Sequence, residues 1–184
     1  LSGLASWLIF MALGIKCAFP MVHNWLTDAY PEATGIPSVD GKPITEGRDG
    51  VVRGSCECDA IKFEVTTPFT VAYNCHCSRC RHGRAAANAS NGFTAADGVH
   101  FTKGEDHLKS YKVPEAQRFT QVFCDICSSL MPRLDPERNI AVIPLSALDD
   151  DPGIRPMSHI FVASMAGWHE ITDDLPRYDE GPPG

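Results

Sequence analysis

Two textures divide the chain. Residues 1–27, LSGLASWLIFMALGIKCAFPMVHNWLT, are apolar at almost every position, with Lys16 the only charge. Up to Phe19 this pattern predicts a single helix, which over nineteen residues would span about 28 Å, near the thickness of a bilayer core. Pro20 then breaks or kinks it. The stretch has no charged leading region and no clear small-residue cleavage site, so a membrane-spanning helix fits it better than a signal peptide or a docked core helix. Residues 35–50, GIPSVDGKPITEGRDG, are rich in Gly, Pro and charge without apolar period, and read as a linker. From residue 51 the pattern changes to short alternation. IKFEV (61–65) alternates apolar and polar as a half-buried strand does, and further strands are expected at TVAYN, VHF, LKSYKV, RFTQVF, NIAVIPL and HIFVAS. Asn91-Gly92, Asp97-Gly98 and Lys103-Gly104 read as turns between them, and SALDD after Pro144 as a short helical turn. The expected organisation is therefore a hydrophobic helix and loop over 1–34, a linker over 35–50, and an all-β domain over 51–184 with no long amphipathic helix and no internal repeat.

Composition narrows what such a domain can do. The formal net charge is −7 over 184 residues. No basic block exists, which argues against nucleic-acid binding through phosphate neutralisation. The dense cations, Arg79, Arg81 and Arg84, sit beside cysteines. The first residue is Leu1, which suggests a piece of a longer reading frame.

Cysteine changes the picture most. Of 8 cysteines, Cys17 lies alone in the apolar stretch and the others fall between 56 and 127. They come as Cys56-x-Cys58, Cys75-x-Cys77-x-x-Cys80 and Cys124-x-x-Cys127. An odd number in tight pairs suits a metal better than a disulfide framework, and both spacings let one turn present two sulfurs to one ion. Seven thiols exceed one tetrahedral zinc site and fall short of two closed ones. In one partition Cys56, Cys58, Cys124 and Cys127 form a closed site while Cys75, Cys77 and Cys80 hold a second ion with one position open. In the other, Cys77, Cys80, Cys124 and Cys127 pair, leaving Cys56, Cys58 and Cys75. The first keeps each cluster intact and is preferred. A closed four-cysteine site is structural, whereas three ligands and a vacancy is the catalytic arrangement. Three thiolates leave the site with a net negative charge, which suits holding a substrate thiolate better than activating water.

The neighbouring residues admit plainer readings. His76, which an extended segment would point away from its flanking cysteines, is expected at the surface, with support of the ligands from behind or a proton-carrying role as the alternatives. Arg79, Arg81 and Arg84 either steer substrate carboxylates or balance the thiolates. His82 and His107 are weaker ligand candidates, since neither makes a chelate pair with a cysteine. Trp168, Tyr178 and DDLPRYDE are expected to cover the domain, with Trp168 packed partly inside.

Two resemblances follow from these residues. GIKCAFPMVHNWLTDAYPEAT (14–34) resembles the proton-translocating antiporter-type subunits of complex I and of multisubunit cation/proton antiporters, on Lys16, Phe19-Pro20, His23 and Trp25 to Ala29. An intramembrane lysine is by default functional. One helix supplies neither partner carboxylates nor a water path, so this piece reads as a remnant or fusion boundary. GSCECDAIKFEV, NCHCSRCR, RFTQVFCDICSSL and HIFVASMAGWHEITDDLPRYDE resemble the glutathione-dependent formaldehyde-activating enzyme family, also called centromere-protein-V-like, over residues 51–180. That resemblance implies an Mss4-like zinc fold and two zinc ions, a structural one on Cys56, Cys58, Cys124 and Cys127 and a catalytic one on Cys75, Cys77 and Cys80. It implies a carbon–sulfur lyase acting on S-hydroxymethylglutathione, with glutathione as partner. The zinc domain would be cytoplasmic, and membrane-anchored where residues 1–26 form a true helix. The rival reading is a zinc-stabilised binding module without turnover. One departure stands out: the family places glycine after the last cysteine, where this chain has Ser128, so a strained positive φ is expected there.

Overall fold

The computed structural model describes residues 45–46, 49–116 and 119–182. The expected N-terminal helix and its antiporter-like motif lie outside them. Among the described residues, no helix is long and apolar enough to cross a membrane. The described residues belong to one unit, Pro43–Gly184.

The chain there is mostly β. Its strands are β1 (Thr45–Glu46), β2 (Val52–Ser55), β3 (Lys62–Val65), β4 (Val71–Cys75), β5 (Ala89–Thr94), β6 (Val99–Lys103), β7 (Leu108–Lys112), β8 (Thr120–Cys124), β9 (Arg133–Asp135), β10 (Ile140–Pro144), β11 (Asp150–Asp151) and β12 (His159–Ile160). One α-helix, α1 (Ser78–Arg84), interrupts them. The largest sheet runs in the order β12-β4-β5-β10-β9, a three-stranded sheet in the order β2-β3-β6, and β7 and β8 form a hairpin. All contacts in these sheets are antiparallel except β12 on β4, where His159 aligns with Asn74 and Ile160 with Cys75. Thr45–Glu46, within the stretch read as a linker, pair in parallel with Asp150–Asp151.

The alternation expected of IKFEV is observed. Ile61, Phe63 and Val65 are buried, and with Val99, Met131, Ala141, Ile143 and Leu148 they form the core. Burying a ring such as Phe63 is worth about 2–3 kcal/mol. Two cysteines, Cys56 and Cys124, belong to the same core.

Three expectations fail. Asn91-Gly92 is not a turn but the middle of β5, pairing with Tyr73 and Ala72. Glycine is there because a Cβ would stand 2.7 Å from the Phe69 ring and 2.9 Å from Leu145; it marks a close approach. HIFVAS is a strand only at His159–Ile160, because Phe161 turns to φ 57 and starts a 3₁₀ turn. The all-β expectation also omits α1, whose 7 residues are too few to display a helical period.

Candidate metal centre

Two tight turns build the first cluster. After β2 the chain folds back so that the Asp59 N–H bonds the Cys56 carbonyl at 3.0 Å and the Ile61 N–H points at Cys56 Sγ at 3.2 Å. After β8 the Ser128 N–H bonds the Cys124 carbonyl at 2.9 Å and the Cys124 N–H bonds the Ser129 carbonyl at 2.9 Å. Ser128 adopts φ 63, the left-handed conformation expected of this position. These turns bring Cys56, Cys58, Cys124 and Cys127 together, every sulfur within 4.8 Å of the others. Cys56 and Cys58 Sγ are 3.5 Å apart, and Cys58 and Cys124 Sγ 3.9 Å. A tetrahedral zinc with Zn–S bonds of about 2.3 Å requires sulfurs about 3.8 Å apart. The separations fit such an ion. Ser129 Oγ accepts the Glu57 N–H at 3.1 Å and lies 3.2 Å from Cys127 Sγ, which orients the last ligand.

The second cluster is Cys75, Cys77 and Cys80, also within 4.8 Å of one another. Cys75 ends β4, Cys77 caps α1 and Cys80 lies one turn into it; the Cys80 N–H points at Cys77 Sγ at 3.4 Å. The helix ends at Ala85, which turns to φ 49. Gly83 lets α1 approach β8, because a Cβ there would collide with the Gln121 amide. Contact with Cys75 and Cys80, and backbone N–H groups, hold Cys77 far below the usual thiol range. Cys80 is pushed up by its two companion thiols, Cys75 first and then Cys77. Three thiolates this close repel one another, so their joint ionisation calls for a cation among them. This donor set fits a thiophilic ion such as zinc. None of the seven cysteines is in a disulfide. The structure thus assembles the intact-cluster partition, and Cys77 and Cys80 do not join Cys124 and Cys127.

The two clusters differ in what they face. Cys75, Cys77 and Cys80 line a cavity of about 950 Å³, and the other four cysteines do not. Arg79, Arg84 and Arg133 supply its cations, with Phe93, Val142 and Ile160 among its apolar walls. Arg84 donates to Asn91 Oδ1 at 2.8 Å. Arg81 instead turns back, its Nε donating to the His76 carbonyl at 3.3 Å.

His76 corrects the expectation of a surface residue. It is fully buried, because alternation along an extended segment turns it away from its flanking cysteines and into the protein. Its Nε2 lies 2.8 Å from His159 Nδ1, and His159 Nε2 reaches both carboxylate oxygens of Asp173 at 3.0 and 3.1 Å. Burial, then the neighbouring His159 and His169, lower the His76 pKa to about 4. His107 and His82 join neither cluster; His107 Nδ1 lies 3.0 Å from Asp125 Oδ1. Trp168 is 76% exposed rather than packed inside, its ring meeting only the edge of His169 at 6.0 Å. Sequence reasoning missed His159, Asp173, Asn91 and Arg133. Only their place in the fold brings them to this site.

The family model described as glutathione-dependent formaldehyde-activating enzyme matches residues 51–164. A protein of Halomonas elongata, provisionally named as a glutathione-dependent formaldehyde-activating enzyme, is 28% identical over 128 residues, which are 66% of this chain and 81% of that protein. A crystal structure of a Rhodobacter sphaeroides protein aligns with a TM-score of 0.42 and 23% identity, covering 56% of this chain and 91% of the other. The matched span contains all seven clustered cysteines, and the chain belongs to the glutathione-dependent formaldehyde-activating enzyme family.

Proposed function

We propose that this chain is a zinc-dependent carbon–sulfur lyase-like enzyme acting on the adduct of glutathione and formaldehyde, with an Mss4-like fold and two zinc ions. The observation that carries this reading is the difference between the clusters: three thiols open on the cavity, four do not. In this reading Cys56, Cys58, Cys124 and Cys127 hold a structural ion, and Cys75, Cys77 and Cys80 a catalytic one. When bound there, zinc supplies a soft position that keeps a substrate thiol deprotonated at neutral pH. Arg79, Arg84 and Arg133 attract the carboxylates of the tripeptide, since guanidinium forks pair well with carboxylates. The apolar walls exclude water from the reacting carbon. In the lyase direction the C–S bond of S-hydroxymethylglutathione breaks, its electrons stay on sulfur, and the hydroxyl proton leaves as the carbonyl of formaldehyde forms. Addition is the reverse. All seven thiols must stay reduced for this, which assigns the domain to a reducing compartment.

Cobalt substitution tests the thiol step. Titrating the cobalt protein with glutathione should change its thiolate-to-metal absorption, whereas S-methylglutathione, which lacks the thiol, should not. Cys77→Ser should abolish the response. A spectrum that glutathione leaves unchanged, together with adduct formation no faster than in buffer, would replace this reading with a zinc-stabilised binding module.

A further inference from the structure

The Cys75–Cys77 turn is held from behind by an arrangement that metal binding alone does not require. His76 is anchored at three points. Its N–H donates to the Ile160 carbonyl at 2.9 Å, its carbonyl accepts from Arg81, and its ring meets His159 at 2.8 Å. His159 is itself buried, clasped by the last segment of the domain: its N–H donates to the Pro176 carbonyl at 2.8 Å and its carbonyl accepts from the Tyr178 N–H at 2.9 Å. Its ring ends on Asp173, a half-exposed carboxylate that also accepts the Leu175 N–H at 3.0 Å. His169 stacks on the free face of the His76 ring, centroids 5.6 Å apart. The ring has the Ala87 backbone as a further polar neighbour, but its buried Nδ1 makes no hydrogen bond of good geometry, so the 2.8 Å contact at Nε2 is what chiefly orients it.

Hydrogen-bond direction follows from the acceptor at the far end. A carboxylate only accepts, so His159 Nε2 carries the hydrogen that faces Asp173. In the neutral pair His159 Nδ1 is then an acceptor, and His76 Nε2 donates to it. Asp173 thereby fixes the hydrogen placement of both rings, and through His76 the rotation of the peptide units that aim Cys75 and Cys77. Residue 173 lies beyond the span that the family model matches. We propose that Asp173 and His159 are positioning residues for the three-thiol centre, acting through His76. The inference rests on the reading that Cys75, Cys77 and Cys80 hold an ion.

The test uses the full chain loaded with zinc and a chromophoric chelator. Two phases of release are expected in the wild type, one for each ion. Asp173→Ala should accelerate one phase by about 10-fold, the scale on which partners behind metal ligands act, and leave the other unchanged. Asp173→Asn keeps an oxygen for the Leu175 N–H and for the His159 Nε2–H but loses the charge and the second oxygen, so it weakens the ring contact while sparing loop support. It should accelerate the same phase to a smaller degree. In both variants the ring ¹⁵N resonances of His76 should move, although residue 173 does not touch that ring. Acceleration of both phases in step with a lowered melting temperature would overturn the positioning role in favour of plain structural support. So would unchanged rates, or His76 resonances that stay in place. A wild-type protein carrying a single ion would overturn the two-centre reading itself and this inference with it.

Discussion

Like Ala85 and Phe161, which also turn to positive φ, Ser128 carries a conformational cost. Its φ of 63 closes the Cys124–Cys127 turn through the hydrogen bond from its N–H to the Cys124 carbonyl at 2.9 Å. A residue with a Cβ is disfavoured there by about 1–2 kcal/mol, and glycine's freedom in the unfolded chain returns part of that. Ser128→Gly is therefore expected to stabilise the zinc-loaded domain by about 0.5–1 kcal/mol, read as a higher urea midpoint at unchanged slope. A lower midpoint would mean that the serine side chain contributes more than its backbone costs. This position was legible in the sequence because the resemblance specifies a turn residue by residue. His76 was not. A histidine between two cysteines reads as exposed on frequency alone, and its burial depends on His159, 83 residues further along the chain. Trp168 misleads in the opposite sense: large aromatic rings are usually covered, yet this one is largely exposed.

At the scale of elements, alternation identified the strands it could act on. β3 buries every second residue, β10 does so until Ile143 and Pro144 are buried in succession, and both lie where the pattern put them. The helix was illegible, since capping by Cys77 and termination at Ala85 leave it two turns long. β2 was illegible for another reason: only Gly54 and Ser55 are its buried residues, and neither is a hydrophobic signal. The glycine is nonetheless what brings two strands and a turn together. A Cβ at Gly54 would stand 2.2 Å from the Phe63 ring and 2.5 Å from the Ala147 carbonyl. Backbone cannot yield as a flexible side chain does, so Gly54→Ala is expected to destabilise by about 1–3 kcal/mol. Gly167→Ala, at a site with nothing within 4 Å, is the control that should leave the unfolding midpoint in place. Equal effects from the two substitutions would mean that the β2–β3 approach is looser than its geometry.

For the molecule as a whole, the four-cysteine cluster is the long-range tie. Cys58 and Cys124 are 66 residues apart in sequence, and Cys56 and Cys124 are part of the hydrophobic core. The three-thiol cluster spans only six positions and faces the cavity, with none of its cysteines in that core. An ion in the first site would thus stabilise the fold, and one in the second would chiefly serve the cavity. Structural zinc contributes about 10–16 kcal/mol in small domains, comparable with the 5–15 kcal/mol that a whole domain usually has to lose. Cys124→Ser is therefore expected to abolish folding and metal binding together. Cys77→Ser should keep a cooperative unfolding transition and one bound ion of the two. A chain starting at Pro43, which retains the pairing of Thr45–Glu46 with Asp150–Asp151, should match the full chain in both respects. Metal analysis beside circular dichroism reads all three. If Cys77→Ser unfolded as completely as Cys124→Ser, the second cluster would also hold the fold together, and the division between a structural and a catalytic ion would fall.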